Sequence, residues 1–144
     1  MKSALKTVFA TIILALVVVS CSKVENILPK KDGMWKMASL TIRQDTNNVL
    51  FHTSTQSDSL PTVFFDKDLN GYTQDFGSTV KHNFTWSVNS DNDQISVLDS
   101  GATKPTVFDI TDASKNAETW TNVSIDTFLT VIYKTTGTYV LERK

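Results

Sequence analysis

Cysteine is nearly absent from this chain of 144 residues; the one present is Cys21. A single thiol excludes an internal disulfide and a cysteine-based zinc site. Net charge is close to absent too. Fourteen Lys and Arg oppose fifteen Asp and Glu, a formal charge of −1, which leaves no electrostatic reason to bind nucleic acid. Histidine is scarce. His52 and His82 are the only two, and neither has a second His or Cys at metal-ligand spacing. No Gly-x-Ser-x-Gly elbow occurs, so the commonest signature of nucleophilic hydrolysis is missing. Asp66-Lys-Asp68-Leu-Asn70-Gly71 copies the first half of a calcium loop, but Gly77 stands where the bidentate Glu belongs. A turn explains those residues without a metal. The expectation is therefore no enzyme, no cofactor and no metal. Long apolar runs are lacking as well. The run Val8–Val19 has 12 residues, short of the 20 or so that span a bilayer.

What is present is unevenly spread. Met1–Ser20 holds fourteen apolar residues and its only charges are Lys2 and Lys6. A basic start followed by a short apolar run reads as a signal peptide helix over 1–20. Val18-Val19-Ser20-Cys21 then resembles a bacterial lipobox, in which the cysteine takes a diacylglycerol and the peptide is cut before it. Two or more acyl chains anchor stably where one does not. The resemblance implies a lipoprotein held to the membrane through acyl chains, palmitate among them, on Cys21. Ser22 in place of an aspartate at the next position points, by the same resemblance, to the outer membrane; periplasmic and surface faces both stay open. Residues 21–31 read as a lipidated polar tether, with Pro29 disfavouring a helix. A single domain over 32–144 follows.

That domain is written for strands. After Ser20 there are 18 Thr and 10 Val but only 4 Ala. Alternation of period 2 is clearest in Phe84-Thr-Trp86-Ser-Val88 and recurs at Ile95, Val107–Ile110, Trp120–Ile125 and Tyr139–Arg143. Turn signals fall at Asp45–Asn48, Asn70-Gly71, Asn89–Asp93, Ser100-Gly101, Lys115-Asn116 and Thr136-Gly137. Asn70-Gly71 predicts a two-residue hairpin turn. Thr111–Ala117 has room for one helical turn, and the polar stretch His52–Ser59 reads as an exposed loop. About eight short strands must hide their edges. An up-and-down antiparallel barrel does so by closure, and a sandwich is the alternative.

Gly33-Met34-Trp35, then Val63-Phe64-Phe65 before Gly71, then Trp86, then Tyr139-Val-Leu141-Glu-Arg143 occur in that order. The order resembles the lipocalin-like domains of small lipoproteins of Bacteroidetes-type bacteria. It implies a lipocalin-like barrel in which Trp35 and Arg143 close one end as a structural pair. It also implies an interior that is either solid or holds one small ligand. Alternation offers Phe64, Phe84, Trp86, Phe108, Ile110, Leu129 and Val131 as inward residues, with Trp120 and Tyr133 at the open end. Asp58-Ser59-Leu60 resembles an O-glycosylation tripeptide of exported proteins in such bacteria, with Ser59 as acceptor. The leading expectation is a non-enzymatic binding module for a small apolar or amphipathic ligand. The alternative is a solid barrel that binds another envelope component.

Overall fold

The computed structural model describes residues 24–144; the signal segment and Cys21 lie outside the described residues. Nine antiparallel strands follow one short helix: α1 (Val24–Ile27), β1 (Met34–Thr46), β2 (Val49–Gln56), β3 (Thr62–Phe65), β4 (Asn70–Gln74), β5 (Lys81–Val88), β6 (Gln94–Asp99), β7 (Thr106–Ala113), β8 (Ala117–Phe128) and β9 (Val131–Arg143). Strands β3 to β9 run up and down in sequence order. β1 pairs with both β3 and β9, which closes an eight-stranded barrel. The expected fold class is therefore present. The ninth strand, β2, lies outside the closed ring and pairs only with the far half of β1.

Strand length divides the molecule in two. β1, β8 and β9 have 13, 12 and 13 residues, while β3 and β4 have 4 and 5. The long strands outrun the short ones. With β2 they form a four-stranded wall that stands beyond the barrel rim in the order β2-β1-β9-β8. Its two hairpin tips are locked together. Asn47 donates its backbone N–H to the Ile132 carbonyl at 2.9 Å, and the Asn47 side-chain oxygen accepts from the Ile132 N–H at 3.0 Å.

Local chemistry accounts for most turns. Asn47 and Asn48 have φ of 50° and 64° and form the tight two-residue turn between β1 and β2, which demands φ > 0 at both centres. The hairpin forecast at Asn70-Gly71 is corrected. That turn is Asp66–Leu69, with Leu69 at φ 63° and the Asp66 carboxylate accepting from the N–H groups of Asp68 and Asn70. Gly71 is a strand residue. A Cβ there would lie 2.4 Å from the Phe64 carbonyl oxygen and from the Phe84 ring. The helical turn forecast in Thr111–Ala117 is absent, because β7 continues to Ala113 through a bulge. His52–Gln56 is strand, not loop; it is exposed, as expected, because nothing covers β2.

The tether is also corrected. Val24, Ile27 and Leu28 are buried and belong to the same core cluster as Trp35, Phe65, Trp86, Ile95 and Leu141. Their i, i+3, i+4 spacing puts them on one face of α1 and its exit. The folded unit therefore includes Val24–Leu28, and α1 plugs one end of the barrel.

Candidate functional site

The plugged end is a polar lattice around two residues. The Arg143 guanidinium lies 4.2 Å from the centroid of the Trp35 ring. It donates to the carbonyls of Ile27 (2.8 Å), Lys30 and Lys115 (3.1 Å). The Trp35 indole N–H donates to the Leu28 carbonyl at 2.9 Å. The pair forecast from Gly33-x-Trp35 and Arg143 is formed. Gly33 is required beside it, since it has φ 65° and a Cβ would meet the Phe65 carbonyl oxygen at 1.9 Å.

Glu118 lies in this end of the barrel with no solvent exposure. One carboxylate oxygen accepts from the Trp120 indole N–H at 2.8 Å; the other has no partner among the described residues. Burial pushes its pKa up to about 7, and the Trp120 hydrogen bond and the Arg143 charge offset only part of that. Burial in turn lowers the Arg143 pKa, opposed by Glu118.

Above this floor the barrel fills with rings. Phe65 is central and meets Phe84, Trp86 and Trp120 at 5.6, 5.5 and 5.7 Å, each near edge-on. Such pairs contribute about 0.5–1.5 kcal/mol each beyond buried area. Trp86 is spent in this packing; its indole N–H donates to the Asn70 carbonyl. Higher still, Phe108 packs on Tyr139 at 5.3 Å and on Trp120 at 5.9 Å. Between these rings lies a cavity of about 190 Å³. Phe84, Phe108 and Trp120 line it, as forecast, together with Phe65, Tyr139 and Leu141. Burial raises the Tyr139 pKa. Asp99, Thr73 and Thr106 also line the cavity, and their strand positions place them at the unplugged end.

Four forecast positions are elsewhere. Phe64 is on the outer face of β3, stacked on Tyr72 at 4.9 Å, because the inward parity belongs to Val63 and Phe65. It borders a wider, open groove of about 510 Å³ that Tyr72, Asn83, Leu98 and Asp99 also line. Tyr133 sits near the tip of the wall and is half exposed. Leu129, in the β8–β9 turn with φ 56°, is 85% exposed, and Val131 follows it at the start of β9. The inward tyrosine on β9 is Tyr139. It shares parity with Tyr133, and only the height of the barrel rim separates them.

The wall carries most of the exposed apolar surface, with Phe76 and Val80 of the β4–β5 loop adding to it. Val49, Leu50, Phe51, Val123, Ile125, Phe128, Leu129, Ile132 and Tyr133 all show at least 44% exposure of their surface. Near its end Arg43 holds the carboxylate of Asp45 at 2.8–3.1 Å, which lowers the Asp45 pKa. Ser59 lies exposed between β2 and β3 with φ 57°. The two histidines are far apart in role. His52 is on exposed β2, and His82 stands 3.7 Å from Asp75. No family model matches this chain, and comparison with the curated proteins and with the solved structures finds no match either.

Proposed function

We propose that this chain is a cell-envelope lipoprotein whose lipocalin-like barrel is a non-enzymatic binding module for a small apolar or amphipathic ligand. One observation carries the reading: a cavity of about 190 Å³, walled by aromatic side chains, at the end of the barrel that α1 does not plug. Ligand sites are concave, mostly apolar and furnished with a few placed polar groups. The volume sets a limit. An apolar cavity of about 150 Å³ holds one benzene, so this one suits a single ring or a short alkyl chain. Native mass spectrometry of protein purified from its own host tests the reading. A co-purifying small molecule, displaced by Phe108→Trp, supports it. A ligand-free spectrum together with no response of Trp120 fluorescence to small apolar probes overturns it.

The anchoring part of the proposal rests on Val18-Val19-Ser20-Cys21. Cys21→Ala is expected to move the protein from the outer-membrane fraction to the soluble one. Retention in the membrane would remove the lipoprotein assignment and leave the cavity untouched.

A second reading is favoured by the wall. Its apolar exposure exceeds the scattered single residues normal for a monomer surface. In that reading the wall binds another envelope component, and the barrel serves as its support.

A further inference from the structure

Asp99 closes the inner row of β6. Alternation places Ile95, Val97 and Asp99 on one face. Ile95 is in the core, Val97 and Asp99 line the cavity, and the strand register sets Asp99 opposite Phe84, another lining ring. Among the described residues Asp99 is the one charged residue on the cavity wall, and no Lys or Arg lines it. Its carboxylate has no side-chain hydrogen bond or ion pair among the described residues. The neighbouring Lys81 shares an open groove beside the mouth with Asp99 and His82, but its ammonium is engaged 4.0 Å over the Tyr72 ring. His82, opposite Thr73 in the register, is turned to Asp75 at 3.7 Å.

Resting on the cavity as a ligand site, we propose that its ligands are small organic cations: an ammonium group on a short linker to one ring or a comparable alkyl body. The body fills the cavity. The ammonium stays at the mouth and pairs with Asp99. The alternative chemistries gain less. An anionic ligand brings like charge against Asp99. A neutral one leaves the exposed carboxylate unpaired and gains nothing from it. A cation gains from pairing with the carboxylate, and the ring of Phe84, opposite Asp99 in the register, adds its electron-rich surface. The size limit of about one ring leaves the head group as the main source of discrimination.

Three probes of matched shape separate the possibilities: 2-phenylethylamine, 2-phenylethanol and 3-phenylpropanoate. Binding is read by calorimetry and by Trp fluorescence at low salt. The amine is expected to bind at least tenfold tighter than the alcohol, and the carboxylate weaker than both. Asp99→Asn is expected to bring the amine to the level of the alcohol and leave the alcohol unchanged. The amine advantage is also expected to shrink as salt is raised. Equal affinities for amine and alcohol, or an amine preference that survives Asp99→Asn, overturn the cation assignment while the cavity stands as a ligand site. Failure of all three probes to bind overturns the cavity reading, and this inference with it.

Discussion

The guanidinium of Arg143 covers the indole of Trp35 at 4.2 Å while donating to three backbone carbonyls. Those carbonyls belong to Ile27, Lys30 and Lys115, so one side chain joins the plug, the entry to β1 and the β7–β8 turn. Arg143→Lys keeps the charge and gives up the planar fork and the stacking surface. Hydrogen bonds to a charged group contribute about 1.5–3 kcal/mol each, though not additively. The expected loss is about 2–3 kcal/mol in urea unfolding. A loss below 0.5 kcal/mol would show that the lattice does not hold the end closed.

Glu118 makes stability depend on pH in an unusual direction for a carboxylate. Its folded pKa is raised from 4.5 to about 7. A raised pKa contributes stability that is full below the unfolded value and is lost as pH rises through the folded one. Wild type is therefore expected to lose stability between about pH 4.5 and 7. The full shift corresponds to about 3 kcal/mol at 1.36 kcal/mol per pKa unit. Glu118→Gln is expected to flatten that part of the profile in thermal melts at stepped pH. A mutant that tracks wild type across the window refutes the assignment.

Two glycines with positive φ separate steric need from conformational need. Gly33 has φ 65° and a Cβ would meet the Phe65 carbonyl oxygen at 1.9 Å; Gly77 has φ 73° and open space around it. Gly77→Ala is expected to cost about 1 kcal/mol, the conformational part alone. Gly33→Ala adds a backbone clash and is expected to cost at least ~3 kcal/mol, the upper end of the ordinary range for single substitutions. Equal losses in denaturant titration would contradict the close approach of β1 to β3.

The exposed apolar tip is separable from the barrel. Phe51 and Leu129 are 78% and 85% exposed, so Phe51→Ser with Leu129→Ser is expected to change stability by no more than about 0.5 kcal/mol per site. The same double variant is expected to reduce binding of an apolar surface dye and any concentration-dependent association seen by light scattering. Unchanged dye binding would mean that the tip is not the accessible apolar surface.

Much of the barrel was readable because alternation is a direct record of which face is buried. Phe84, Trp86 and Val88 reveal β5, and Asn89–Asp93 reveals its turn. Parity fails where both parities are apolar. Val63-Phe64-Phe65 carries no alternation, so its pattern favours Phe64 as readily as Phe65, the ring at the centre of the core. Parity is also silent about height. Tyr133 and Tyr139 are six residues apart on the same face of β9, and only the shortness of β3 and β4 decides which one is enclosed. Two further features of the fold are written in the sequence more faintly. Val24, Ile27 and Leu28 have helical spacing, masked by polar neighbours and by Pro29. Asp99 continues the Ile95–Val97 alternation by one step. β2 had no signal to read, since no covered face imposes a pattern on it.

The plug of α1 has a directional consequence for the proposed lipoprotein. Val24 is built into the barrel floor, and Cys21 precedes it by only three residues. Three residues reach about 10 Å at most. Acyl chains on Cys21 would therefore hold the floor close to the bilayer surface, and the cavity mouth would open on the opposite side. A ligand would then be captured from the aqueous compartment rather than drawn sideways out of the membrane. That route suits a small charged solute better than a long-chain lipid.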